Sequence, residues 1–124
     1  MTHKIYRYEA YIYGEPSKGP YTGYMHFRHI KEHVNFNNRL NNSHCNDETH
    51  LGARIDFNNF NKGKEFCACA SIEDLKAWFK GYNKTILDLG YNLVELEVKK
   101  YILGKSKKQC TYRLKDVISR TVLK

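Results

Sequence analysis

The stretch Ser71-Ile-Glu-Asp74, followed by Leu75, Trp78, Phe79, Tyr82, Ile86 and Leu89, constrains this chain more than any other. Steps of three and four residues place those six side chains on one helical face, and an apolar stripe of about four turns must be buried against another layer. The Ser71 hydroxyl and the Asp74 carboxylate are spaced to accept from the free amides of a first turn. Gly90 stands where a left-handed residue closes a helix. The sequence therefore predicts one long helix from Ile72 to Leu89, with Trp78 and Phe79 at the centre of the core and Gly81 as a weak point in its middle.

The partner layer is predicted to be a sheet. Residues 4–13, KIYRYEAYIY, are aromatic and β-branched, with Tyr6, Tyr8 and Ala10 alternating against Arg7 and Glu9. Residues 65–70 form an apolar run. From Leu93 to Val98, Val94, Leu96 and Val98 alternate with Glu95 and Glu97, and from Gln109 to Leu114, Cys110, Tyr112 and Leu114 alternate with Gln109, Thr111 and Arg113. Both read as half-exposed strands. The fold class is α+β, a small mostly antiparallel sheet packed against one long helix. Gly14, Pro16, Gly19, Pro20 and Gly23 crowd the segment after the first strand and predict a reversal with no regular element. Met25 to Val34 has helical spacing, and nine asparagines in residues 35–62 predict a long irregular excursion.

At 124 residues the chain is sized for a single domain, 1–124. No apolar run is long enough to span a membrane, the first ten residues lack a signal-peptide core, and Cys45, Cys67, Cys69 and Cys110 are irregularly spaced. These features predict a cytoplasmic protein with free thiols. The net charge is +8, and it is unevenly placed. Residues 1–98 hold twelve basic and twelve acidic side chains, whereas residues 99–124 hold nine basic ones against Asp116 alone. A local positive field of that kind draws phosphates or an acidic protein surface.

Several chemistries lack their motifs. The chain has no Gly-x-Ser-x-Gly elbow, no P-loop and no dinucleotide fingerprint. His29 and His33 are spaced as two ligands on one helix, but Ile30 stands where a metalloprotease needs Glu. His44, Cys45 and His50, with Cys67 and Cys69, have zinc-like donor types but no standard spacing, the pair Cys67 and Cys69 reads as two small core residues of an apolar strand, and no metal is assigned. Lys99, Lys100, Lys105, Lys107, Lys108, Arg113 and Arg120 form a candidate binding surface, with Lys124 at its end and Tyr101 and Tyr112 as stacking faces if the ligand is nucleic acid.

Five short elements carry a resemblance. Tyr6-Arg7-x-Glu9, Gly19-Pro20-Tyr21, Ser71-x-x-x-Leu75-x-x-Trp78-Phe79, Gly90 with Glu97-Val98, and Gln109 resemble, in order and spacing, a set of small bacteriophage proteins. That set is similar to a shortened ADP-ribosyltransferase fold. The resemblance spans residues 4–24 and 64–114. It implies that Arg7 grips the phosphates of NAD, that Tyr21 packs on the nicotinamide, and that a late carboxylate stabilises the oxocarbenium-like state. Gln109 stands near the place of that carboxylate and cannot supply its charge, which leaves Glu95 or Glu97 as the candidate.

Two functions of different class follow. One is a phage-type accessory protein whose basic C-terminal surface binds and modulates a host protein or nucleic-acid complex with an acidic surface, with no membrane partner and no cofactor. The other is an ADP-ribosyltransferase-like enzyme that uses NAD on a host target, with an incomplete catalytic set.

Overall fold

A computed structural model describes residues 1–12, 15–20, 31–45, 57 and 65–124, with the backbone alone at 11, 12, 15–18 and 45. Its elements in chain order are β1 (His3–Ile12), β2 (Glu15–Lys18), α1 (Lys31–Cys45), β3 (Glu65–Ala68), α2 (Ile72–Trp78), α3 (Asn83–Asp88), β4 (Asn92–Val98), β5 (Ile102–Leu103), β6 (Cys110–Arg113), a 3-10 turn (Leu114–Asp116) and β7 (Val117–Val122). The α+β class stands, and every strand pairing among the described residues is antiparallel.

One sheet has the order β2-β1-β4-β7, and a second the order β3-β6-β5. Alternation sorts β1 and β4 between two cores. Tyr8, Ala10 and Leu93 join Phe36, Leu40, Leu75, Trp78, Phe79 and Ile86 of the helical layer. Ile5, Val94, Leu96 and Val98 face Ala68, Cys110 and Tyr112 of the second sheet. The four-stranded sheet is thus the middle layer, covered on both faces, which is why β4 is buried at Leu93 and Val94 in succession. The two sheets are stitched by a backbone bridge in which Tyr6 and Cys69 exchange both hydrogen bonds at 2.8 Å.

The predicted long helix is two short ones. Ser71 caps α2 as expected, its Oγ accepting from the Asp74 amide at 3.0 Å, but the chain breaks after Trp78. Gly81 sits at φ +88°, a left-handed conformation that a continuous helix cannot contain. The break costs the apolar stripe little, because Asn83 holds the halves together. Its Oδ1 accepts from Tyr8 Oη at 2.6 Å, and its Nδ2 donates to the Lys76 carbonyl at 3.0 Å. Gly90 closes α3 as predicted, at φ +99°, with the Tyr91 amide donating back to the Ile86 carbonyl.

The Asn-rich excursion is also corrected, because α1 occupies its first part. Asn35, Asn37, Asn38, Asn41 and Asn42 are helical, since His33, Phe36, Asn37, Leu40 and His44 form a buried stripe along α1. Asn37 donates to the Pro20 carbonyl, and Asn41 to the Asn37 carbonyl one turn back. Asn37 and Asn41 thus make their side-chain to backbone bonds from within a helix rather than in turns. The predicted helix from Met25 to Val34 lies partly outside the described residues, as does most of 46–62.

Two smaller expectations change. The segment predicted to have no regular element contains β2, whose Pro16 is tolerated because β2 is a sheet edge. The strand predicted from Gln109 to Leu114 is not half-exposed. β6 is central in its sheet, with Cys110, Thr111 and Tyr112 all buried, Gln109 buried just before it and Leu114 exposed after it.

Candidate functional site

Two features present themselves: an ion cluster between the sheets, and a C-terminal chain segment rich in exposed basic and aliphatic side chains. β1 aims Arg7 and Glu9 at the second sheet, and β7 aims Arg120 at the same face through its pairing with Leu96. Glu9 is 1% exposed. Arg120 meets it in a two-pronged pair, Nε to Oε2 at 2.9 Å and Nη2 to Oε1 at 3.2 Å, while Arg7 Nε lies 3.4 Å from Oε1.

Arg7 is held on its remaining sides. Nη1 donates to the Tyr112 hydroxyl, and the guanidinium lies 5.7 Å from the Tyr112 ring centroid and 5.9 Å from that of Phe66. A side chain at residue 19 would place its Cβ 3.2 Å from Arg7 Nη2, so glycine is what lets the backbone approach. Burial opposes the charge on Arg7, but Tyr112 and Glu9 outweigh it and the guanidinium stays ionised. Burial pushes the Tyr112 phenol up, with Arg7 pulling the other way. The cluster therefore knits β1, β6 and β7 together.

The structure does not bring the NAD-site candidates together. Arg7 faces the second sheet, whereas Glu95 and Glu97 lie on the opposite face of β4. Glu95 accepts from Tyr6 Oη at 3.2 Å and pairs with Lys4 at 3.7 Å. Glu97 accepts from Thr2 at 2.9 Å and Ser119 at 3.5 Å. Gln109 is buried, its carbonyl closing the β5–β6 hairpin by accepting from the Gly104 amide at 2.9 Å. Tyr21, His29 and His50 and the Cys45 side chain lie outside the described residues. Among the described residues no three His, Cys, Asp or Glu converge as metal ligands. His44 packs edge-on to Trp78 and Tyr82, at 6.4 and 5.7 Å.

The basic residues fare differently from one another. Lys99 and Lys100 are exposed at the end of β4, and Lys105, Lys107 and Lys108 are exposed on the β5–β6 turn, where Lys107 takes φ 60°. Arg113 is exposed and 3.9 Å from Glu65. Arg120 is withdrawn from this surface by Glu9. Tyr112 is buried beneath Arg7, and Tyr101 packs edge-on to His3 at 5.2 Å, so neither is an open stacking face.

Sequence reasoning missed what accompanies the lysines. Ile102, Leu103, Leu114, Ile118, Val122 and Leu123 are between 41% and 61% exposed, and among the described residues the other large hydrophobic so exposed is Met1. The signal was the cluster of aliphatic residues near a chain region with so much charge.

The described residues form a three-layer α+β scaffold with an ion cluster between its sheets and a C-terminal segment rich in exposed lysines and aliphatic side chains. The chain belongs to the bacteriophage T4 Y00F protein family, whose pattern it matches over residues 1–123. It is thus a phage protein. No curated protein and no solved structure matches it. No helix among the described residues is long and apolar enough to cross a membrane.

Proposed function

We propose that this phage protein binds a host protein through an acidic surface and alters that protein's activity, using its C-terminal end from Lys99 to Lys124. The observation that carries this reading is coincidence of position: the chain's whole charge excess and six of its exposed large hydrophobics share one segment. Charge speeds encounter, and desolvated aliphatic groups hold what has been met. A protein is favoured over nucleic acid because the exposed side chains are aliphatic, and Tyr101 and Tyr112 are engaged within the fold.

Capture from host lysate by the immobilised protein tests this reading. Replacing Lys105, Lys107 and Lys108 with Glu is expected to cut capture of its main partner about tenfold and to flatten the salt dependence of what remains. Capture unchanged by the triple replacement removes the basic surface from the function. The NAD-dependent reading needs Arg7 and a carboxylate around one ligand, and Arg7 and Glu95 or Glu97 lie on opposite sheet faces. Transfer of label from NAD to a host protein, lost in Glu95→Gln or Glu97→Gln, would restore that reading.

A further inference from the structure

β7 is the long open strand edge among the described residues. β2 has four residues, one of them Pro16, β3 is tied at Cys69 to β1, and β5 has two residues. β7 runs six residues, Val-Ile-Ser-Arg-Thr-Val, and pairs with β4 along one side. Its one charge, Arg120, turns inward to Glu9. Proteins commonly guard such an edge with proline, an outward lysine or a covering segment, and apart from a register shift at its start β7 shows none of these among the described residues. The Leu123 amide donates to the Leu93 carbonyl at 2.8 Å. In an antiparallel ladder the residues between bonded positions face the other way, so Arg120 and Val122 turn their amides and carbonyls to the open edge.

Charge decides what fits there. Lys115 is exposed just before β7 and Lys124 just after it, and the Lys99 amide bonds to the Asp116 carbonyl beside its start. A second copy pairing antiparallel about Arg120 would bring Lys115 of one chain near Lys124 of the other. A strand bearing carboxylates gains both the ladder and the charge. We propose that the β7 edge takes an extended acidic segment of the partner protein as a fifth strand of the four-stranded sheet. The proposal rests on the basic-surface reading of function and names the way that surface is read.

The test uses the full chain and two synthetic peptides of one length and charge, one alternating Glu with Val and one alternating Glu with Pro, which cannot pair as a strand. The Glu-Val peptide is expected to bind at least about tenfold tighter and to slow hydrogen exchange at the Arg120 and Val122 amides. Val122→Pro removes an edge donor without touching the β4 ladder and is expected to abolish the difference between peptides. Should that variant unfold, exchange at the two amides of the unaltered protein decides the matter. Equal binding of the two peptides, or no protection at β7, overturns strand addition while leaving lysate capture through Lys105, Lys107 and Lys108 as a separate result. Self-association abolished by Val122→Pro also overturns it, in favour of a second copy.

Discussion

Glu9 is the residue on which the interior turns. Two guanidinium groups converge on its carboxylate, Arg7 buried and Arg120 part-buried. Glu9→Gln leaves the buried Arg7 and the part-buried Arg120 with no counter-charge, and breaking a pair around so buried a carboxylate is expected to cost about 3 kcal/mol. Denaturant unfolding of the variant measures it, and a loss below about 1 kcal/mol would show that water reaches the cluster. A second prediction concerns alkali. Burial pushes the Tyr91 phenol and the Cys69 thiol up to about 12. Their neutral forms are favoured in the folded state, so their contribution is complete below the unfolded values, about 10 for Tyr and 8.5 for Cys, and is lost as pH rises toward 12. Stability should hold to about pH 8 and then fall, and Tyr91→Phe should shallow the fall above about pH 10. Arg7 stood out in the sequence through a resemblance, as a residue that grips phosphate. Its actual partners, Glu9 two residues away on the same strand face and Tyr112 far along the chain, required the packing of the second sheet over β1, which no local pattern encodes.

At the level of elements, the alternating strands β1, β4 and β6 and the run of β3 were legible, whereas β2, β5, β7 and helix continuity were not. β1 and β4 are recognisable because aromatic and β-branched residues alternate with charges, and the Ser71 cap and Gly90 closure are recognisable because they are local chemistry. The break at Gly81 left the apolar spacing intact, so periodicity read through it. The first part of the Asn-rich region misled in the opposite direction. Its helix is held by Phe36 and Leu40 with His33, Asn37 and His44 completing the stripe, and polar residue types hide such a face. Gly81 offers a sharp test of the break. A Cβ there meets nothing within 4 Å, so Gly81→Ala is opposed by backbone conformation alone, with an expected loss of about 1–2 kcal/mol. If the variant is instead more stable, the long continuous helix is accessible to the chain and the break is not fixed by Gly81.

The whole molecule divides its labour between a balanced body and a charged end. Residues 1–98 carry equal numbers of basic and acidic side chains, and the ion pairs among those described include Arg7 with Glu9 and Lys4 with Glu95 on the sheet and Lys84 with Asp88 on α3. The excess lies beyond them, on the turns and last strand that follow β4. Composition alone makes that division readable, because charge sums need no contacts. Which basic residues point outward is not readable in the same way, and Arg120 shows why: it sits within the basic run yet closes the ion cluster. The division predicts that folding and binding separate. Replacing Lys105, Lys107 and Lys108 with Glu changes three exposed positions, and surface changes of this kind usually move stability within about 0.5 kcal/mol. Thermal unfolding of that variant should therefore match the unaltered protein while host capture falls. A matched loss of melting temperature and capture would mean that the turn is part of the scaffold, and that the binding surface must be sought among the aliphatic groups of β7 instead.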